Sequence, residues 1–465
     1  MSRTDPAYPI EDVHEDDMSE SHQLTDESLK SSASRRRTLL LRLGASFFLF
    51  GLINNVLYVI ILSAALDLVP PNTPKGIIAF CNIFPALVSK IGWPYILKGR
   101  IRYARRLIGC CIISILGMIV VAASEGLPGR LLGISLASFS SGLGELTFLQ
   151  LSTTYSPRPV SGHALGYFAS GTGAAGLVGA ALWWFLRALG VELGVGLSSI
   201  FPLIIPLAYF FLLPSTSQFL DIEISSLTED SGANEYSAVP VLDPNEASEA
   251  PLLVAPGVSL TLAEKLALVK PLLLQYMLPL FCVYTFEYTI NQGISPTLVY
   301  PVPSDFVFRH IIKSIRDYYP LWQLVYQTTV FLSRSSLSLG LPPISRRSLP
   351  LPAVVQLIIL TILATESASG LFGNSETFSI ALVFLLIGLE GICGGLAYVN
   401  VFYQIGQESS PSAGEKGRQE REFKIGSIGF ADSLGILLAS ILAVPTEIFL
   451  CQTQVNRGKT LCKSL

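Results

Sequence analysis

Long apolar runs separated by short polar breaks fill the chain from residue 39 to residue 450. A membrane-spanning helix needs about 20 mostly apolar residues. Eleven windows meet that demand: 39–66, 76–97, 107–124, 130–153, 163–189, 196–213, 267–290, 320–340, 350–366, 378–404 and 424–450. The eighth is the weakest, because it carries Arg334 and several serines and glutamines. Residues 1–38 are polar and acidic, with the run EDVHEDD, and read as a disordered tail that cannot bury enough surface to fold. The tail is negative and no short apolar core with a cleavage site follows it, so it is no signal peptide. The first apolar window then acts as an uncleaved internal signal. Residues 214–266 are acidic and rich in Ser, Pro and Asn, the composition of a flexible linker. They divide a first group of six spans (39–213) from a second group of about five (267–450), with 451–465 left as a short tail.

Composition agrees with that pattern. The 465 residues are 50% hydrophobic and 14% charged, with a mean hydropathy of +0.53. Ordinary soluble domains carry about 25% charged residues, and so little polar sequence cannot coat this much apolar surface. The expected class is an all-α polytopic membrane protein of about 11 transmembrane helices. Six spans, a long central loop and a second half of similar size predict two pseudo-equivalent bundles, the plan of major-facilitator-like transporters, with substrate at the midplane between them. The halves show no strong sequence repeat. A net charge of -3 gives no basic field for nucleic acid.

Basic residues in the short loops set the orientation. Arg35, Arg36, Arg37 and Arg42 precede span one; Lys98, Arg100, Arg102, Arg105 and Arg106 lie between spans two and three. Arg346 and Arg347 separate spans eight and nine, and Lys416, Arg418, Arg421 and Lys424 separate ten and eleven. All fall on one face, assigned to the cytosol together with the amino terminus. The exception is 301–319, where Arg309, Lys313 and Arg316 alternate with apolar residues, as in an amphipathic helix on the opposite membrane surface; the alternative is a merely irregular loop.

Charged side chains inside a span are costly and mark candidate sites. Glu145 lies in span four, Glu287 in span seven and Glu390 in span ten, while Asn54 and Asn55 sit in the middle of span one. By resemblance to the two-bundle transporters, spans one, four, seven and ten line the cavity. Glu145 and Glu390 are read as cation or proton sites, Glu287 with Asn291 as gate or substrate contacts, Arg334 as a partner charge, and Asn400 as a further polar candidate. The alternative is structural: the carboxylates pair with Lys90, His163 or Arg334 as buried glue.

Other motifs carry no chemistry. Gly171, Gly173 and Gly176 spell GxGxxG, but inside an apolar run, where close helix packing through small residues explains them better than a dinucleotide site. No GxSxG, HExxH, P-loop or kinase signature occurs, so no enzyme is expected. The seven cysteines form no CxxC pair and the four histidines are scattered, so neither a metal site nor a cofactor is expected.

Polar runs inside the apolar spans carry a resemblance. Residues 51–65 read GLINNVLYVIILSAA, 140–152 SSGLGELTFLQLS, 287–293 EYTINQG, 333–337 SRSSL, 390–400 EGICGGLAYVN, 421–423 REF and 432–436 DSLGI. In this order, from about residue 39 to 451, they resemble the battenin family of membrane proteins, fungal vacuolar members above all. The resemblance implies a vacuolar or lysosomal multi-pass protein of major-facilitator-like fold. It also implies transport, or regulation of transport, of basic amino acids such as arginine, and a role in vacuolar pH. Glycerophosphodiester export, or a non-transporting scaffold that regulates trafficking or a proton pump, is the alternative. The implied partners are a small-molecule substrate, protons and the lipid bilayer. The family is thought to end in a prenylation motif; here the end reads Cys462-Lys463-Ser464-Leu465, which departs from the usual aliphatic pair. An unmodified tail, or a luminal pairing of Cys462 with Cys451, stands against it.

Overall fold

The computed structural model describes residues 16–64, 68, 76–96, 101–219, 260–303, 306–373, 376–408, 412 and 414–463. Every one of the eleven apolar windows contains a helix. In chain order they are α1 (Asp16–Ser63), α2 (Gly76–Ile96), α3 (Tyr103–Ala123), α4 (Leu127–Ser152), α5 (Arg158–Leu186) and α6 (Val191–Leu212). The second half holds α7 (Leu262–Thr297), α8 (Tyr318–Arg334), α9 (Leu351–Ser369), α10 (Glu376–Gln407) and α11 (Gly414–Asn456). Among the described residues, nine of them are long and apolar enough to cross a membrane. The other two are α2 (Gly76–Ile96), apolar along most of its length, and the short α8. At 17 residues, α8 spans about 25 Å against the ~30 Å of a hydrocarbon core.

Three expectations are modified. First, α1 begins at Asp16, inside the stretch read as a tail, because extending a formed helix fixes one residue per new hydrogen bond without a new nucleus; residues 1–15 lie outside the described residues. Second, α8 stops at Arg334 rather than running to residue 340. Its serine-rich continuation turns back on itself, with Leu341 N–H on Ser336 O and Gly340 at φ 82°, a conformation that suits glycine. Third, the surface helix expected over 301–319 is two short pieces, Phe306–Ile311 and a 3-10 turn at Ile315–Asp317. The Asp317 carboxylate accepts hydrogen bonds from the Lys313 and Ser314 N–H groups, which closes the chain into a turn there. Most of the linker, residues 220–259, lies outside the described residues.

The packing order reveals the two bundles. In the first half α1 packs on α5, α2 on α4 and α3 on α4; in the second, α7 packs on α11, α8 on α10 and α9 on α10. Adding six to each helix number turns the first set into the second. The main contacts between halves are α5 with α8 and α2 with α11, which the same operation exchanges. The halves are thus pseudo-equivalent in packing although they share no strong sequence repeat.

Lipid tails are as apolar as leucine, so helices associate through close packing of small residues and internal hydrogen bonds. Gly171 lies against the backbone of α1, at Phe48 and Leu52, and a Cβ on Gly173 would stand 2.9 Å from the Phe331 Cα of α8. The GxGxxG run is therefore a packing device on α5, touching one helix of each bundle. Large apolar side chains such as Leu274, Phe211 and Phe185 are more than 70% exposed, the inverse of a soluble protein and the dress of a lipid-facing surface.

Candidate functional site

Two polar clusters occupy the middle of the fold. The first lies on the seam between the bundles. Lys90, 5% exposed on α2, places Nζ 2.9 Å from Glu145 Oε2 of α4 and 3.2 Å from Asp432 Oδ1 of α11. Asp432 Oδ1 also accepts the Ser433 N–H at 2.5 Å and its hydroxyl at 3.0 Å. On the other side of Glu145, the Tyr398 hydroxyl of α10 donates to Oε1 at 2.8 Å. One lysine thus faces two carboxylates, one from each bundle, a triad whose shared charges offset part of the desolvation cost of burial.

Arg334 joins this cluster through Tyr398. It is the last residue of α8, where a cation complements the helix dipole. Its Nη1 donates to Thr172 Oγ1 of α5 at 2.8 Å and its Nη2 to the Tyr284 hydroxyl of α7 at 2.9 Å. The guanidinium lies over the Tyr398 ring at 4.3 Å, a cation–π contact. Its partners are neutral: among the described residues it forms no ion pair.

The second cluster lies inside the second bundle. The chain of α7 widens into a π turn at Ile290–Ile294, one turn past Glu287; such turns recur at functional sites. Asn291, within it, donates to Glu287 O at 3.1 Å and to Glu390 Oε1 of α10 at 2.8 Å, and accepts from Gln323 of α8 at 3.0 Å. The Tyr326 hydroxyl donates to Glu287 Oε1, and Gln356 Nε2 of α9 reaches Glu287 Oε2 at 3.4 Å and Glu390 O at 3.1 Å. Glu390 is fully buried, and its Oε2 has no hydrogen-bond partner among the described residues. Gly394 leaves room for this arrangement, since a Cβ there would meet the Glu287 carboxylate.

The structure therefore brings Glu145 and Arg334 together on the seam, and Glu287, Asn291 and Glu390 together behind it. It leaves the other three candidates apart. Asn54 ties α1 to α4 through the Ser141 carbonyl at 3.0 Å, and Asn55 bonds the Gly51 carbonyl of its own helix. Asn400 accepts the Ile344 N–H at 2.7 Å, holding the stretch after α8 against α10. Of the partners weighed for the carboxylates, Lys90 takes Glu145, whereas His163 bonds the Leu40 carbonyl and Arg334 takes hydroxyls. Sequence reasoning did not name Asp432 as a site residue, although it lies within span eleven and answers the rule that found the three glutamates. Tyr284, Tyr326 and Tyr398 gave no such signal, because a tyrosine in an apolar run reads as core. No cluster of His, Cys, Asp and Glu able to hold a metal occurs among the described residues.

Nearer the basic face, the bundles are joined by further polar contacts. Tyr103 of α3 donates to Glu422 Oε1 of α11 at 2.7 Å, and Lys265 of α7 donates to Pro94 O of α2 at 2.7 Å. Arg158 of α5 and Gln407 of α10 each donate to the other's carbonyl, at 3.0 and 3.2 Å. At the opposite end Cys451 and Cys462 form a disulfide.

A family model described as CLN3 protein matches residues 45–453. Protein BTN1 of Cryptococcus neoformans var. neoformans serotype D is 45% identical over 494 residues, covering 91% of this chain and 96% of that protein. Protein BTN1 of Mycosarcoma maydis is 44% identical over 507 residues, covering 96% and 93%. Among solved structures, the major facilitator superfamily proton:xylose symporter XylE superposes with a TM-score of 0.59 at 10% identity, covering 93% of each chain. At that identity the likeness speaks for the fold, which is major-facilitator-like. On the family match and on these identities over nearly full length, the chain belongs to the CLN3, or battenin, family as a multi-pass membrane protein.

Proposed function

We propose that this protein is a proton-linked transporter of the vacuolar membrane, not an enzyme, and that it moves a basic amino acid such as arginine between vacuole and cytosol. The observation that carries the reading is the charged seam: Lys90, Glu145, Asp432 and Arg334 meet where the two bundles touch, the midplane position of a transporter's substrate. Buried charges within spans are costly, and such a cluster marks a candidate solute or ion site. In this reading the basic face, with the amino terminus and the linker, is cytosolic. The Tyr103–Glu422, Lys265–Pro94 and Arg158–Gln407 contacts are the cytosolic closure that parts when the path opens that way.

Glu390 takes the proton, and Glu287 with Asn291 contacts the cationic end of the substrate. Among the described residues Glu390 Oε2 has no hydrogen-bond partner in its fully buried setting, which leaves this oxygen open to an incoming proton. A second reading, export of a glycerophosphodiester, is favoured by Arg334, whose neutral partners leave its charge available to a phosphodiester. Purified protein in liposomes, given labelled arginine or a labelled glycerophosphodiester under an imposed proton gradient, separates the possibilities. Gradient-dependent arginine uptake is expected. Movement of the phosphodiester alone supports the second reading, and movement of neither supports a non-transporting scaffold that regulates trafficking or a proton pump.

A further inference from the structure

We infer that Arg334 is the anchor for an anionic group of the transported solute, a carboxylate or a phosphate monoester-like or diester oxygen pair; this rests on the transport reading above. A guanidinium has five N–H donors in a planar fork. Among the described residues Arg334 makes two hydrogen bonds, one from each terminal nitrogen, and its buried Nε has no acceptor. Both acceptors are hydroxyls already engaged in or suited to other bonds: Thr172 Oγ1 itself donates to Ala169 O at 2.7 Å. The charge is thus under-satisfied, and no carboxylate stands within ion-pair distance of it among the described residues. Glu145 and Glu287 act on this charge only from beyond ion-pair distance, so its donors stay incompletely filled and the planar fork has room for an oxygen pair. Arg334 retains partial exposure, whereas Lys90 in the same seam is sealed between two acids.

The surroundings fit a two-ended solute. Thr172 on α5, Tyr284 on α7 and Tyr398 on α10 place the guanidinium against both bundles at once. Tyr398 continues to Glu145, and Glu287 lies on the α7 turn after Tyr284. An anion held by Arg334 therefore leaves acids on either side for a cationic or hydroxyl-bearing remainder. Arginine offers a carboxylate and a guanidinium; a glycerophosphodiester offers a phosphate and hydroxyls. The shared chemistry is the anion.

Binding to the purified full-length protein tests this apart from transport. Four probes are compared: labelled arginine, its decarboxylated amine, glycerophosphoethanolamine and glycerol. At least one of the two anionic probes should bind, and its anion-free counterpart should bind at least about tenfold more weakly, the scale of one charged hydrogen bond. Which anionic probe binds tells carboxylate from phosphodiester. Arg334→Gln should weaken binding by about tenfold or more, and Arg334→Lys, which keeps the charge but not the fork, by less. Melting temperatures of both variants near that of the parent protein exclude a merely structural loss. If Arg334→Gln does not fold, the Lys variant and the probe comparison on the parent protein still decide. The inference is overturned if neither anionic probe binds, if the anion-free probes bind equally well, or if folded Arg334→Gln retains full affinity. Binding without uptake in liposomes sinks the transport reading and leaves the anion site standing.

Discussion

Lys90 on α2 and Asp432 on α11 form an ion pair across the seam between the two bundles, Nζ to Oδ1 at 3.2 Å. The same ammonium holds Glu145 of its own bundle at 2.9 Å. One buried lysine therefore answers to an acid that moves with it and an acid that does not. Any relative motion of the bundles changes the Asp432 distance first. Neutralising one member should be felt by the other two.

Lys90→Met should be severely destabilising, because it leaves two carboxylates facing each other without a cation; breaking a buried pair costs about 3–5 kcal/mol. Asp432→Asn added to Lys90→Met should recover part of that loss. Thermal unfolding of the purified variants reads both effects. A double variant as unstable as the sum of the singles would show that the pair is not coupled.

Glu145→Gln keeps the shape and the Tyr398 hydrogen bond but removes the charge. Transport should fall at least tenfold, about the effect of losing one charged hydrogen bond, while expression and vacuolar location persist. Normal uptake by this variant, or its disappearance from the membrane, would remove Glu145 from the site.

Glu390→Gln places a neutral amide where a protonated acid would sit. Substrate binding should survive, and accumulation driven by a proton gradient should be lost, leaving only downhill movement. Uptake measured with and without the gradient distinguishes the two. Full gradient dependence in the variant would assign the proton elsewhere.

Gly394→Val should disrupt the second cluster, since its Cβ would meet the Glu287 carboxylate. Overpacking of this kind costs about 1–3 kcal/mol. The melting temperature should drop, and Gly406→Val on the same helix, where nothing lies within 4 Å of a Cβ, should leave it nearly unchanged.

The Cys451–Cys462 disulfide belongs to an oxidising compartment and so to the lumenal side in the proposed orientation. A pH-sensitive fluorescent tag after Leu465 should be quenched in an acid vacuole, and one before Met1 should stay bright. Peptide mass spectrometry without reduction should find the linked pair. A prenyl group on Cys462 would place the carboxyl terminus in the cytosol instead.

Apolar run length set the helices, because a chain in lipid must satisfy its backbone within each span. The eleven helices and the major-facilitator-like plan were legible on that ground, and the packing role of Gly171, Gly173 and Gly176 was legible from small residues set in an apolar run. The charge-in-span rule found Glu145, Glu287 and Glu390, since a carboxylate in an apolar run stands out whatever surrounds it. Only the tertiary structure decided their partners. Lys90 and Asp432 are separated by 342 residues along the chain, and no local pattern encodes their pairing. The same holds for Arg334, whose ligands come from α5, α7 and α10 and turn out to be hydroxyls and a ring face rather than a carboxylate. Helix ends also depended on context: α8 stops at Arg334 where its serines find other hydrogen bonds, and α1 runs on because a formed helix extends cheaply. Hydropathy is a property of each segment by itself and survives in the sequence. Which charge meets which is a property of helices brought side by side, and it exists only once the two bundles have closed on each other.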